Sequence, residues 1–177
     1  MHAPRLQTLL LVDGYNIIGA WPHLEKVRDR HGLEPARQDL VECLINYSAR
    51  KDFQIQVVFD AHYQNSPSHQ EVYTDKLLAH YTAWLQTADT YIEKFCAVQR
   101  DSSSRLIVAT SDRAQQLTVI GYGAEWMSAQ QLKSDVALVE RQSRRRHRPQ
   151  KSQGRFLFHS LDAQAQQRLE EWRQGIY

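Results

Sequence analysis

Four stretches of this chain are apolar with little alternation, and each gives way within a few residues to an aspartate. They are Leu6 to Val12 before Asp13, Ile55 to Phe59 before Asp60, a weaker run from Leu77 to Thr82 ahead of Asp89, and Leu106 to Thr110 ahead of Asp112. A strand with one wet face alternates polar and apolar side chains; a strand covered on both faces has no such need. Runs of this kind therefore belong in a parallel sheet with helices on both sides.

The intervening segments fit that plan. Pro35 opens an amphipathic stretch with Leu40, Val41, Leu44, Ile45 and Ser48 on one face, ending near Lys51 and Asp52. Residues 61–76, with Asn65-Ser66-Pro67-Ser68, read as a loop. Thr87 begins a capped helix that carries Asp89 and Glu93, and the helix after Asp112 stops at Gly121-Tyr122-Gly123. A short strand at Glu125-Trp126-Met127 precedes Ser128-Ala129-Gln130-Gln131, a capping-box pattern that starts a helix with Leu132, Val136 and Val139 inward. A basic run then reads as linker or frayed helix, and a polar helix closes the chain over about 160–174. Strands alternating with helices define an α/β fold with a mostly parallel central sheet. At 177 residues and 42% apolar content, one domain spanning 1–177 is expected, with the basic segment and the last helix as its C-terminal extension.

In an open parallel sheet the carboxyl ends of the strands line one edge, where ligands bind. Asp13, Asp60, Asp89 and Asp112 all fall on that edge, with Glu93 one helical turn beyond Asp89. Taken singly, each is an ordinary turn or first-turn residue, since aspartate suits both places. Four together are costly unless protons or cations neutralise them, and oxygen-rich carboxylate sites suit Mg²⁺ or Mn²⁺. The chain has no GxxxxGK[ST] loop, no GxGxxG after the first strand, no GxSxG and no HExxH. P-loop and dinucleotide enzymes, serine hydrolases and zincins lose support, and no nucleotide cofactor is expected. An aspartyl-phosphate phosphatase usually needs a second aspartate two residues after the first, where this chain has Tyr15.

Charge is unevenly spread. Residues 141–155 hold Arg141, Arg144, Arg145, Arg146, Arg148, Lys151 and Arg155 and no acid, which leaves 15 basic against 20 acidic residues elsewhere. An acidic body with one basic segment points to a polyanion held by the basic part, the alternative being a solvated tail without specific contacts. No run approaches the ~18 apolar residues of a membrane span. Cys43 and Cys96 lack metal or disulfide spacing and read as reduced, semi-buried thiols of a cytoplasmic protein. Trp21 and Trp84 flank the loops nearest the acidic edge and read first as core or interface aromatics, then as base-stacking platforms.

Four motifs, in order, carry a resemblance: Leu11-Val12-Asp13-Gly14-Tyr15-Asn16-Ile17-Ile18, Val57-Val58-Phe59-Asp60, Thr87-Ala88-Asp89-Thr90-Tyr91-Ile92-Glu93 and Val108-Ala109-Thr110-Ser111-Asp112. Over about residues 6–140 the chain resembles NYN domain proteins of the YacP type, within the PIN-like nuclease superfamily. The resemblance implies a PIN-like three-layer α/β/α sandwich, dependence on Mg²⁺ or Mn²⁺, and endonucleolytic cleavage of RNA. Asp13, Asp89 and Asp112 match the family's acidic positions and Asn16 its polar partner after the first strand. Asp60 matches less closely, because Ala61 follows it where glycine is frequent. A bacterial member acts as a ribosome-associated endoribonuclease on messenger RNA, so RNA and the ribosome are the implied partners. On this reading Asp13, Asp60, Asp89 and Asp112 hold the metal, while Asp13, Asn16, Asp89 and Asp112 carry the chemistry. Glu93 and Ser111 stand behind them. Arg113 and the basic residues Arg141, Arg144, Arg145, Arg146, Arg148 and Lys151 touch RNA. The competing reading is a non-catalytic RNA- or ribosome-binding module of the same fold, with a small phosphohydrolase as a third.

Overall fold

Each apolar run forms a strand. The computed structural model describes residues 7–60, 67–100 and 102–146. Within them the elements follow as β1 (Thr8–Asp13), α1 (Gly14–Ala20), α2 (Pro22–His31), α3 (Leu33–Lys51), β2 (Phe53–Phe59), β3 (His69–Thr74), β4 (Leu77–Tyr81), α4 (Ala88–Gln99), β5 (Arg105–Ala109), α5 (Arg113–Gly121), β6 (Glu125–Met127) and α6 (Ala129–Arg146). The strands make one sheet in the order β3-β4-β2-β1-β5-β6. All pairs are parallel except β3 with β4, which is antiparallel.

β1 lies inside the sheet with both faces covered, which explains its unbroken apolar run. Leu10 and Val12 face one layer, with Ile17, Ile18, Leu24, Leu40, Leu44, Leu132 and Val136 from α1, α2, α3 and α6. Leu11 faces the other, with Val58, Val108, Ile92, Cys96 and Val119, built on α4 and α5. Leu10, Leu11 and Val12 are fully buried, a contribution of about 1.5–3 kcal/mol for a side chain of this size. The result is the three-layer α/β/α sandwich with a mostly parallel sheet that the pattern implied.

Two segments differ from the sequence expectation, and the basic run takes one of its two expected forms. Asp13-Gly14 reads as a turn, yet the chain passes straight from β1 into α1. Glycine is required there by packing: a Cβ on Gly14 would stand 2.2 Å from the Phe59 ring. Trp21 then breaks the helix with extended backbone, and Pro22 starts α2 at a position where its missing N–H costs nothing. The stretch 61–76 reads as a loop in the sequence, but it contains β3, an edge strand exposed at His69, Gln70, Glu71, Val72 and Tyr73 and so without an apolar signature; residues 61–66 lie outside the described residues. The basic run is helical at its start: α6 continues through Arg146, as arginine's good helix propensity allows. Leu6, Arg148, Lys151, Arg155 and the expected helix over 160–174 lie outside the described residues.

The chain divides into two compact units, Met1–Arg141 and Gln142–Tyr177, the second represented among the described residues by 142–146. Both cysteines are free thiols, Cys96 buried and Cys43 partly so. No described helix is long and apolar enough to cross a membrane.

Candidate active site

The chain leaves β1 for strands on one side and returns through α4 to β5 on the other, so the strand order switches direction between β1 and β5. At such a switch point the loops diverge and open a crevice at the carboxyl ends. One hydrogen bond spans the ends of these two strands: Ser111 N donates to Asn16 Oδ1 at 2.7 Å. Asn16 N in turn donates to Asp13 Oδ1 at 3.2 Å.

Each aspartate is fixed differently. Asp13, the last residue of β1, alternates with Val12 to share the face of Leu11, and caps α1. It is only 7% exposed. Asp60 follows β2 and accepts a hydrogen bond from Ala88 N, which ties the start of α4 to the end of β2. Asp89 stands in the first turn of α4 and accepts from Gln115 Nε2 at 2.6 Å. Asp112 caps α5, accepting from Ala114 N at 2.7 Å and Gln115 N at 3.1 Å.

Asp13 and Asp89 register the charges of the neighbouring acids. Asp13 is pushed up to about 7, first by loss of water on burial and then by the charges of Asp89, Asp60 and Asp112, against the lowering effect of the Asn16 N–H. Asp89 is raised for the same leading reason, although the residue is exposed; its partner Gln115 is itself buried. Asp112, Asp60 and Glu93 add to that rise and the Gln115 hydrogen bond opposes it. The structure thus brings the four expected aspartates and Glu93 into one electrostatic neighbourhood, with Ser111 joined to it through its backbone and Asn16 through both backbone and side chain. Arg113 is exposed beside Asp112. Arg141 and Arg144 are exposed on α6, and Arg145 and Arg146 lie on its last turn.

The donor set is all oxygen and several times negative, the kind that suits a hard divalent cation. The buried carboxyl of Asp13, with three like charges around it, is a group that positive charge would relieve. Among the described residues, however, no three histidine, cysteine or acidic side chains form a ready-made metal-binding group.

Several residues at this edge carry no signal that sequence reasoning used. Gln115 is 3% exposed and joins α5 to α4 through Asp89. Thr110, fully buried, accepts from Asp112 N at 3.1 Å through its hydroxyl. Arg37 donates to the Tyr15 hydroxyl at 2.7 Å and also pairs with Glu34, while its guanidinium lies 5.7 Å from the Tyr81 ring centre. The tyrosine that follows Gly14 is thereby anchored to α3. Trp21 is core: its ring is buried and its Nε1 donates to Ala129 O at 2.9 Å, which removes it as a stacking platform. Trp84 is half exposed.

The mostly parallel sheet between helical layers, with acids gathered toward the carboxyl ends of its strands, has the architecture of the PIN-like class. The sequence matches the YacP-like NYN domain family over residues 10–174, and the chain belongs to that family. It is 33% identical over 167 residues to a Bacillus subtilis (strain 168) protein named only as uncharacterized protein YacP, across 94% of this chain and 97% of that one. Its structure is similar to the crystal structure of Rae1 (YacP) from Bacillus subtilis, with a TM-score of 0.70 at 32% identity over 96% of each chain. A tryptophan-to-leucine mutant of that protein gives a TM-score of 0.69 at 30% identity, covering 93% of this chain and 98% of the other.

Proposed function

We propose that this protein is a metal-dependent endoribonuclease that hydrolyses RNA phosphodiester bonds in the cytoplasm. The observation that carries the reading is the buried Asp13 carboxyl, raised in part by the charges of Asp89, Asp60 and Asp112. Asp13, Asp60, Asp89 and Asp112 would hold Mg²⁺ or Mn²⁺, which supplies a nucleophile at neutral pH and Lewis acidity at the phosphoryl oxygens.

The protein's own groups do the rest. Burial and the charges of Asp89, Asp60 and Asp112 raise Asp13 to about 7, so positive charge in the site would favour its carboxylate form. Asn16 has its oxygen engaged by Ser111 N, which leaves the amide N–H groups to donate to a phosphate or a neighbouring carboxylate. Arg113, exposed beside Asp112, contacts phosphate, and Glu93 and Ser111 support the cluster from behind. Arg141, Arg144, Arg145, Arg146, Arg148 and Lys151 hold the RNA backbone by charge alone, as basic segments do. Messenger RNA on the ribosome is the substrate taken from the family resemblance.

The second reading is a non-catalytic RNA- or ribosome-binding module. It is favoured by the lack of a closed ligand group among the described residues and by the hydrogen bonds that already occupy an oxygen of each aspartate. RNA cleavage by wild type and Asp13→Asn, with Mn²⁺ and with EDTA, separates the two. The nuclease reading expects chelation to stop cleavage and the variant to lose about 10²–10³-fold, the scale of a single electrostatic group in an active centre. Equal rates, or cleavage indifferent to chelation, would overturn it.

A further inference from the structure

We propose that Gln115 is the positioning residue for Asp89, holding that carboxylate in the orientation the metal site uses; this rests on the metal-nuclease reading. Of the four aspartates, three are held by backbone amides: Asp13 by Asn16 N, Asp60 by Ala88 N, and Asp112 by Ala114 N and Gln115 N. Backbone amides at helix starts come with the fold. Asp89 is held by a side chain, Gln115 Nε2 at 2.6 Å, so its orientation depends on one residue's identity.

The placement of Gln115 runs against the local rule. It is the third residue of α5 after the cap Asp112, where glutamine ordinarily reaches back to the N–H of the capping residue. Here Thr110 Oγ1 takes the Asp112 N–H at 3.1 Å, and Gln115 is released to reach across to α4. The side chain stays there although its Oε1 is buried without a hydrogen-bond partner. Turning the amide over would set that oxygen against the Asp89 carboxylate and leave the nitrogen unpaired. The orientation is therefore dictated by Asp89.

Amide chemistry suits the task. A lysine or arginine at this place would neutralise Asp89 and compete with a cation, whereas a neutral donor fixes one carboxylate oxygen and leaves the negative charge for the metal. Hydrogen-bond partners standing behind metal ligands commonly affect metal affinity or activity by about 10–100-fold.

The test uses the full chain and Mn²⁺ alone as probe, read by the Mn²⁺-dependent rise in Tm at pH 8, with RNA cleavage as a second readout. Gln115→Met keeps volume and helix propensity but removes the donor; Gln115→Asn keeps the amide but is too short to reach. Both are expected to weaken apparent Mn²⁺ affinity by about 10–100-fold and lower kcat similarly with KM for RNA unchanged. In an Asp89→Asn background, Gln115→Met should have no further effect on either. A lower Tm without Mn²⁺ but unchanged Mn²⁺ affinity would make Gln115 a packing residue and overturn the assignment alone. A wild-type protein that Mn²⁺ does not stabilise would overturn the metal reading and this assignment with it.

Discussion

Asp13, at the corner between β1 and α1, and Asp112, at the corner between β5 and α5, both leave a strand and cap the helix that follows, with φ of −73° and −72°. Both accept the backbone N–H three residues on. Their surroundings differ. The first corner is closed by Gly14, which lets the Phe59 ring approach where a side chain would stand, and by the Tyr15 ring 5.2 Å from Phe59. At the second corner Ser111, Asp112, Arg113 and Ala114 are all exposed. The same cap motif thus yields a desolvated carboxyl at one corner and a wet one at the other, and the difference comes from what packs behind the cap.

The largest expected effect tests that desolvation. Folded Asp13 keeps its proton to about 7, whereas the unfolded chain releases it near the ordinary aspartate value of 3.8. Between these pH values the folded state binds more protons, so stability falls as pH rises through the window and levels off above it. In metal-free protein the full effect is on the order of 4 kcal/mol. Urea unfolding from pH 4 to 8 in EDTA should show Asp13→Asn matching wild type at the acid end and exceeding it at pH 8. Parallel curves would mean that the first corner is as wet as the second.

Gly14→Ala comes next. Its Cβ would fall inside the Phe59 ring envelope, at 2.2 Å, with no small adjustment available because Phe59 is fully buried. Overpacking of this kind costs about 1–3 kcal/mol, read as a lower Tm or urea midpoint. Alanine tolerated without loss would show that the corner is loosely packed. Smallest is Asp112→Ala, which removes a cap worth roughly 0.5–2 kcal/mol while lifting one like charge from Asp13 and Asp89, so the net loss falls at or below that range; Asp112→Asn keeps the cap and should match or slightly exceed wild type. If Asp112→Asn destabilises as much as alanine, the exposed corner holds its charge for a structural reason and the contrast between the corners weakens.

These corners also show what the sequence could and could not convey. The inner strands were legible because burial on both faces leaves an apolar run, and the acids because Asp13, Asp60 and Asp112 follow such runs and Asp89 follows a helix cap. Helix starts at Thr87 and Ser128 were legible through their caps, whose hydroxyls accept from Thr90 N and Gln131 N. β3 was not, since an exposed edge strand spells no pattern. α1 and α2 escaped notice because Trp21 and Pro22 join two short helices without a loop. The packing at this corner sets Gly14 and Tyr15 against Phe59, more than 40 positions away, and nothing adjacent in the sequence announces it. Gln115 was hidden more deeply: a glutamine three residues after a capping aspartate reads as half of a local box, and only Thr110, by taking that role, redirects it.

The Asn16 bond across the strand ends ties the corners mechanically. Ser111 N holds the Asn16 side chain, and the Asn16 backbone N–H holds Asp13. Asn16 is thus joined to both corners at once, its side-chain oxygen to the outer one and its backbone N–H to the inner one, so a replacement that keeps the helix but removes the amide loosens the outer tie and leaves the Asp13 cap in place.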